Sequence, residues 1–324
     1  MKFLVCGGAG YIGSHMVRYL LRRQHEVVVY DNLSTGHRES VPASLLVVGD
    51  VGDDVSLEQL FSLHRFDAVM HFCALSLVGE SVSKPNLYYI NNVARTLILL
   101  EAMQTAGVDR LVFSSTAAVF GNPLTPLITE EHPTDPINPY GQSKLMVEKI
   151  LADAAKAYGL RSVALRYFNA AGADPSGEIG EAHSPETHLI PNVLRSLLGQ
   201  TSSLKVFGSD YDTRDGTCVR DYVHVNDLAS AHLKAVEFML DHEGAHIFNL
   251  GNGEGFSVRE VIAAAERITG QEVSYEMAGR RSGDPPTLVA SGQRAREILG
   301  WEPEFTDLDD ILSSAWDWHT KPAF

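Results

Sequence analysis

KFLVCGGAGYIGSH, residues 2–15, starts as a continuous apolar run and continues into Gly7, Gly10 and Gly13, which are spaced three residues apart. The apolar run predicts a buried strand, and the residues from Ile12 onward predict a helix. Glycine suits a tight turn between the strand and the helix, and it lets the backbone approach a ligand closely. The free amides at the N-terminus of the helix favour an anionic ligand. The spacing alone is also compatible with a strand-to-helix turn that binds nothing.

An acidic residue after the next apolar run favours the ligand-binding interpretation. EVVVY ends at Tyr30, and Asp31 follows 18 residues beyond Gly13, where a carboxylate accepts hydrogen bonds from an adenosine ribose. We therefore predict a dinucleotide site for NAD. NADP is disfavoured because Asp31 repels its 2'-phosphate. NADP is not excluded, because Arg38 lies a few residues further on and an arginine there can bind that phosphate. Asp50, after the third run, is either an adenine contact or a solvated turn residue.

The apolar runs of the first half alternate with amphipathic segments. The runs are nearly continuous and rich in β-branched residues, as is typical of strands buried on both faces of a parallel sheet. The predicted strands are KFLVC, EVVVY, LLVV, DAVMHF, RLVFS and RSVALRY, and the predicted helices are Ile12–Arg23, Asn86–Ala106 and Tyr140–Tyr158. Their alternation predicts an α/β fold with a Rossmann-type, doubly wound parallel sheet.

The character of the chain changes near residue 170. Residues 171–188 are a long polar stretch rich in glycine and proline, and shorter elements follow. These are a helix near Val225–Leu240, the strand HIFNL and a helix opened by the capping box from Ser257 to Glu260. We predict an NAD-binding domain over residues 1–170, to which later segments return, and a smaller mixed α/β substrate-binding lobe over residues 171–324.

Composition and charge exclude several classes of partner. The 324 residues carry a formal net charge of -15, which argues against binding to nucleic acid or anionic membranes. No apolar run approaches the roughly 20 residues of a membrane span, and the first apolar run is too short for a signal peptide. Cys6, Cys73 and Cys218 have no paired spacing, so we expect no disulfide framework and a cytoplasmic location.

No metal site is predicted. Asp210, Asp212 and Asp215 have the spacing of part of a calcium loop, but Arg214 occupies a ligand position and Asp215 stands where glycine is needed. Among the 13 histidines the H-x-x-x-H spacing occurs once, at His242 and His246, and we interpret most of the histidines as surface or core residues.

NPYGQSK, residues 138–144, places Tyr140 and Lys144 one helical turn apart. An exposed helical pair of small energetic value is one interpretation. The other follows from FSSTAAVFG, in which Ser114 and Thr116 lie where a predicted strand ends at the ligand-binding edge of the sheet. A lysine near a phenol, beside a cationic nicotinamide, lowers the pKa of the tyrosine toward the working pH. We predict that Tyr140 takes a proton from an alcohol while the Thr116 hydroxyl holds the same oxygen.

At these residues the sequence resembles the extended short-chain dehydrogenase/reductase family and, within it, the UDP-glucose 4-epimerases. The resemblance covers nearly the whole chain and is most specific in DGTCVRDYVHVNDLA together with RYFN. The other matching pieces are the glycine turn, DNLSTGH, HFCALSLVGES, NNVARTL, NPYGQSKLMVE and RRSGDP. The resemblance implies NAD-dependent interconversion of UDP-glucose and UDP-galactose, by oxidation at the sugar 4-position, rotation of the 4-keto sugar and return of the hydride.

The resemblance also implies roles for individual residues. The expected catalytic residues are Tyr140, Lys144 and Thr116, with Lys144 also bonding the nicotinamide ribose. The expected cofactor contacts are Gly7, Gly10, Tyr11, Ile12, Gly13, Asp31, Asn32, Asp50, Val51, Phe72, Cys73, Ala74, Asn92, Ser114, Tyr140, Lys144 and Phe168. The expected contacts to the UDP sugar are Thr116, Tyr140, Asn169, His188, Leu189, Phe207, Arg220, Arg281, Asp284 and Leu288, the two arginines offsetting the diphosphate charge.

Three positions depart from the family pattern. Ala74 and Ser76 occupy places where many epimerases have glycine and lysine near the cofactor, and His188 replaces a common asparagine. These departures put single contacts in doubt rather than the reaction.

Three alternative functions are considered: epimerisation of another UDP sugar, dehydration of a nucleotide sugar, and NAD sensing without catalysis. Leu288 falls at a position that gates N-acetyl sugars, which leaves epimerisation of UDP-N-acetylglucosamine or a UDP-pentose open. Ala117 and Ala118 stand where 4,6-dehydratases of the family carry an acid pair, which argues against elimination of water. A non-catalytic NAD-sensing regulator is the remaining alternative, but such proteins usually lack the tyrosine or lysine.

The predicted helices Asn86–Ala106 and Tyr140–Tyr158 carry more apolar positions than one face against a sheet requires. Burial within one chain is one explanation. In the resembling family these helices pair with a second subunit, so we predict a homodimer.

Overall fold

The structure is a computed structural model that describes residues 1–201, 204–281 and 285–324. Its strands are β1 Lys2–Cys6, β2 Glu26–Asp31, β3 Leu46–Val48, β4 Ala68–His71, β5 Arg110–Ser114, β6 Leu127–Ile128, β7 Arg161–Arg166, β8 Asn169–Ala171, β9 Leu204–Phe207, β10 Val219–Arg220, β11 Tyr222–His224, β12 Ala245–Asn249, β13 Phe256–Ser257, β14 Tyr275–Ala278 and β15 Thr287–Ala290. Its α-helices are α1 Tyr11–Arg22, α2 Asp54–Leu63, α3 Val78–Ser83, α4 Pro85–Tyr89, α5 Arg95–Ala106, α6 Pro139–Tyr158, α7 Leu189–Leu197, α8 Val225–Asp241, α9 Val258–Thr269 and α10 Leu308–Thr320.

The large sheet contains seven parallel strands in the order β3-β2-β1-β4-β5-β7-β12. β1 pairs with β2 on one side, from Lys2 with Glu26 to Cys6 with Tyr30, and with β4 on the other. The strand order therefore reverses between β1 and β4, and ligands of such sheets bind outside the carboxyl ends of the strands at this point. The predicted Rossmann-type fold is confirmed.

Apolar side chains cover both faces of this sheet, which explains why its strands are continuous apolar runs in the sequence. On one face, α1 and α8 contribute Met16 and Leu228 to the core. On the other face, α2, α5 and α6 contribute Leu57, Leu99 and Leu151. Burying each side chain of this size contributes about 1.5–3 kcal/mol, so the sheet is a firm platform for groups at its edge.

The second half of the chain is divided between the large sheet and a smaller mixed part. α8 and β12 return to the large sheet, where β12 pairs in parallel with β7. A four-stranded sheet, β13-β10-β15-β6, contains one antiparallel pair and two parallel pairs. Helices α7, α9 and α10 pack around Val193, Val261 and Ile311. Within the described ranges, no helix has both the length and the apolar character that crossing a membrane requires.

The segment predicted as one helix, Asn86–Ala106, is more complex than the sequence pattern indicated. α4 and α5 are joined by a turn with π-type hydrogen bonding over Ile90–Ala94. Such turns are frequent at functional sites because they redirect a side chain. Here the turn buries Asn92, whose amide nitrogen donates to the Ser143 hydroxyl of α6 and to the Leu75 carbonyl oxygen, each at 3.0 Å. The other predicted helices agree with the structure to within one residue at each end.

Candidate active site

The glycine turn joins β1 to α1 in a conformation that side chains would block. Gly7 has a φ of +78°, in the left-handed region that favours glycine. A Cβ atom on Gly13 would lie 2.1 Å from the Gly7 carbonyl oxygen. Gly10 precedes α1, and no side chain caps that helix end. The turn therefore leaves amide groups and backbone surface available to the pyrophosphate of NAD, which these residues fit.

The predicted ribose-binding carboxylate is fixed to the same turn. Asp31 is 7% exposed, and its two oxygens accept hydrogen bonds from the amides of Ala9, at 2.9 Å, and Leu33, at 2.8 Å. Burial raises the pKa of Asp31, and the two amide hydrogen bonds work in the opposite direction. The carboxylate thus has a fixed orientation beside the glycine turn.

The Asp50 carboxylate accepts three hydrogen bonds, and its contact with the adenine stays a prediction. Its Oδ2 atom accepts from Asn32 at 2.8 Å and from the Arg95 guanidinium at 2.9 Å. Its Oδ1 atom accepts from the Gly52 amide at 2.7 Å. Asn32 and Asp50 therefore form one polar group next to Asp31, as expected of residues that share the adenosine end of a dinucleotide.

The remaining predicted cofactor residues are carried by the same sheet edge and its helices. They are Tyr11 and Ile12 at the start of α1, Val51 after β3, Phe72, Cys73 and Ala74 after β4, Asn92 in the π turn, Ser114 at the end of β5, and Phe168 after β7. A Cβ atom on Gly7 would lie 2.6 Å from the Cys73 nitrogen, so the segment after β4 packs directly on the glycine turn.

The predicted catalytic residues are brought together by the start of α6. Asn138 caps this helix by accepting from the Gly141 amide at 2.9 Å, which places Tyr140 in the first turn and Lys144 in the second. The Lys144 ammonium is 3% exposed and donates to the Ser114 carbonyl oxygen at 2.6 Å. A hydrogen bond links Tyr140 to the Thr116 hydroxyl. A phenol, a buried ammonium and a hydroxyl thus meet at the end of β5.

The predicted decrease in the Tyr140 pKa includes the charge of a bound nicotinamide, and it stays a prediction. Burial of the phenol raises its pKa, and the hydrogen bond with Thr116 works against this increase. Burial also lowers the pKa of the Lys144 ammonium to about 8. Because that ammonium is held by the Ser114 carbonyl oxygen, Lys144 alone does not make the phenolate favourable, and a second positive charge near the phenol is needed.

Residues predicted to hold the UDP sugar fall into groups, the first of which lines a pocket beside α7. Asn169, His188 and Leu189 share this pocket with Tyr222. The Asn169 amide donates to the Asp221 carbonyl oxygen at 2.9 Å, which fixes its orientation.

The two predicted arginines lie on different segments of the smaller part of the fold. The Arg281 guanidinium lies over the Phe207 ring, 4.0 Å from its centroid. Arg220 lies opposite Leu288 in the sheet and donates to the Pro285 carbonyl oxygen at 3.0 Å. Asp284 lies outside the residues that the structure describes.

Leu288 connects Arg220 to the catalytic residues. Leu288 and Phe168 both pack on a small apolar cluster that includes Ala117 and Leu145. Ala117 directly follows Thr116, so Leu288 lies near the place where the sugar is expected.

Sequence reasoning missed a buried polar group behind the catalytic residues. Glu148 lies one helical turn beyond Lys144, and its two oxygens accept from the Arg166 guanidinium at 2.9 and 2.5 Å. The Ser115 hydroxyl donates to the same carboxylate at 2.6 Å. The spacing of Tyr140, Lys144 and Glu148 could have indicated this group. Residues four apart lie on the same face of a helix, so burial of the first two implies burial of Glu148.

Comparison with known proteins identifies the relatives of this chain. The model of the NAD dependent epimerase/dehydratase family matches residues 3–251. A UDP-glucose 4-epimerase of Halalkalibacterium halodurans is 52% identical over 321 residues, which cover 99% of this chain and 96% of that protein. The structure of UDP-glucose 4-epimerase from Brucella ovis in complex with NAD has a TM-score of 0.95 and 48% identity, covering 97% of each chain. That from Bifidobacterium longum in complex with NAD+ and UDP has a TM-score of 0.93 and 40% identity, covering 99% of each chain.

Proposed function

The chain belongs to the NAD dependent epimerase/dehydratase family, and from this premise we propose that it interconverts UDP-glucose and UDP-galactose with NAD as its cofactor. The observation that carries the proposal is the meeting of Tyr140, Lys144 and Thr116 at the end of β5, beside a glycine turn that fits a pyrophosphate. The curated relatives at about 50% identity over nearly the whole chain carry the same activity in their names.

Tyr140 takes the proton of the sugar 4-hydroxyl and later returns it. NAD, when bound, accepts a hydride from the sugar 4-carbon and gives it back to the other face after the 4-keto sugar has rotated. Since burial raises the pKa of Tyr140, the phenolate depends on the positive charges of Lys144 and of the oxidised nicotinamide. Thr116 holds the phenol oxygen in place.

We further propose that the smaller part of the fold, within residues 171–324, holds the UDP half of the substrate. Arg220 and Arg281 supply positive charge for the diphosphate, and the pocket of Asn169, His188 and Leu189 takes the remainder of the nucleotide. This arrangement leaves the sugar between Leu288 and Tyr140, because Leu288 packs next to Ala117.

Incubation with UDP-galactose, with and without added NAD, tests the proposed function directly. We expect UDP-glucose to form until both sugars are present at equilibrium, and no net reduction of NAD. A parallel incubation with UDP-N-acetylgalactosamine tests the N-acetyl alternative by comparison of initial rates. Binding of NAD without conversion of any UDP sugar would indicate the regulatory alternative and contradict the proposal.

We also propose that the protein is a homodimer, which the surface beside α6 supports. Val82 and Ile90, on segments packed against this helix, are 63 and 57% exposed, and Leu97 of α5 is 46% exposed. Light scattering is expected to give twice the chain mass. Leu97→Glu should shift the protein toward a monomer, whereas Leu63→Glu, at a position that is 77% exposed on α2, should not. A monomeric wild-type protein would contradict the proposal.

We propose a cytoplasmic location, because the spacing of Cys6, Cys73 and Cys218 indicates no disulfide framework of the kind common in secreted proteins.

A further inference from the structure

The polar stretch of residues 171–188 folds so that four potential metal ligands converge. They are Glu181, His183, Glu186 and His188, which we call the Glu-His cluster. One ligand atom from each residue lies within 4.8 Å of the others. No metal site was predicted from the sequence, whereas here the potential ligands come from a loop with the pattern E-x-H-x-x-E-x-H.

The separations between these atoms match a four-coordinate ion. His183 Nδ1 lies 2.9 Å from Glu181 Oε1 and 4.0 Å from Glu186 Oε2. His188 Nδ1 lies 3.6 Å from Glu186 Oε1 and also contacts Glu181 Oε1. Ligands about 2.0 Å from a tetrahedral zinc ion are about 3.3 Å from one another. Both imidazole nitrogens contact Glu181 Oε1 through hydrogen bonds, so an ion bound among the four residues would replace those hydrogens.

The carboxylates of the cluster are buried, unlike those of an ordinary acidic surface. The side chains of Glu181 and Glu186 are 4 and 3% exposed, and those of His183 and His188 are 33 and 46% exposed. Two buried carboxylates that share one site are stabilised by a positive charge between them.

The backbone and neighbouring helices hold the cluster in this form. The Trp318 indole donates to the Glu181 carbonyl oxygen at 2.9 Å. The Glu186 carboxylate accepts from the amides of Thr187 and His188, at 2.7 and 2.9 Å. A Cβ atom on Gly180 would lie 2.3 Å from the Trp318 ring, so the loop is closely packed under α10. Metal ligands need such support for their orientation.

We propose that the Glu-His cluster binds one divalent transition-metal ion, for which zinc is the best fit. Two imidazoles favour zinc, cobalt or nickel over magnesium and calcium, which prefer oxygen ligands alone. Two carboxylates and two neutral histidines balance the charge of a divalent ion. The ion would join the loop to two parts of the active site, because His188 also lines the pocket with Leu189 and the Tyr11 ring packs against His183.

Titration of the metal-depleted protein with zinc tests the site without any measurement of activity. Calorimetry is expected to show one saturable site per chain, and cobalt in the same site is expected to give the visible absorption of a tetrahedral ion. Glu186→Gln and His183→Gln should each weaken zinc binding by at least about tenfold. His242→Gln is the matched control, because His242 is exposed and lies outside the Glu-His cluster.

Thermal unfolding of each variant without metal establishes that the fold is intact. Equal zinc affinity of the His183 and His242 variants would overturn the proposal, as would the absence of saturable binding by the wild-type protein. Weakened binding in the His183 and Glu186 variants alone, with magnesium unable to displace zinc, is the expected result. The outcome does not depend on which UDP sugar the protein converts.

Discussion

Tyr140→Phe is expected to lower kcat for conversion of UDP-galactose by a factor of about 10² to 10⁴, the usual contribution of a positioned general base. Phenylalanine keeps the ring in the first turn of α6 and removes only the hydroxyl that Thr116 holds. The loss should appear in kcat with little change in KM, because the proton transfer is made only in the transition state. Initial rates over a range of UDP-galactose concentrations, at saturating NAD, measure both constants.

Tyr158→Phe is the matched control for this substitution. Tyr158 ends the same helix and is 40% exposed, so removal of its hydroxyl leaves the active site unchanged. NAD binding by each variant, followed by fluorescence titration, separates a lost base from a lost cofactor. If Tyr140→Phe retained the wild-type kcat, some other group would be the base and the assignment of Tyr140 would be wrong.

The sequence predicted the large sheet well because burial on both faces leaves a strong local pattern. After their first residue, KFLVC and RLVFS contain only residues that suit a buried parallel strand. Both segments are strands in the structure. The glycine turn was predictable because it also depends on local geometry. Gly7 has a φ of +78°, and the backbone of the turn leaves no space for a Cβ atom on Gly13. Such features do not depend on distant parts of the chain.

Features that depend on distant partners were not predictable from one sequence. The π turn over Ile90–Ala94 places Asn92 against Ser143 of α6, and the apolar pattern of a helix does not record that contact. The burial that raises the pKa of Tyr140, and the Ser114 carbonyl oxygen that holds Lys144, were also not visible in the spacing of the two residues. The four residues of the Glu-His cluster lie within eight positions of the chain, but only the fold of the loop brings their side chains together.

Removing either member of the Glu148–Arg166 pair is expected to lower the free energy of unfolding by about 3–5 kcal/mol. The two side chains are 3 and 4% exposed, so a single substitution leaves an uncompensated charge in the core. Glu148→Met and Arg166→Met, compared by urea unfolding at constant protein and NAD concentration, measure this loss. The pair also fixes α6 on β7, so the single variants should lose part of their activity through displacement of Tyr140 and Lys144.

The double variant Glu148→Met with Arg166→Met distinguishes an uncompensated charge from simple loss of packing. With neither charge present, the free energy of unfolding is expected to return to within about 2 kcal/mol of the wild-type value. The remaining loss is expected because the Ser115 hydroxyl no longer has the Glu148 carboxylate as its acceptor. Asp153→Asn is the control on the same helix, because its pair with Lys156 is 3.9 Å long and fully solvated. That change should cost less than about 1 kcal/mol. Additive losses in the double variant would show that the two residues act separately, and the pair could then not be what holds the catalytic helix on the sheet.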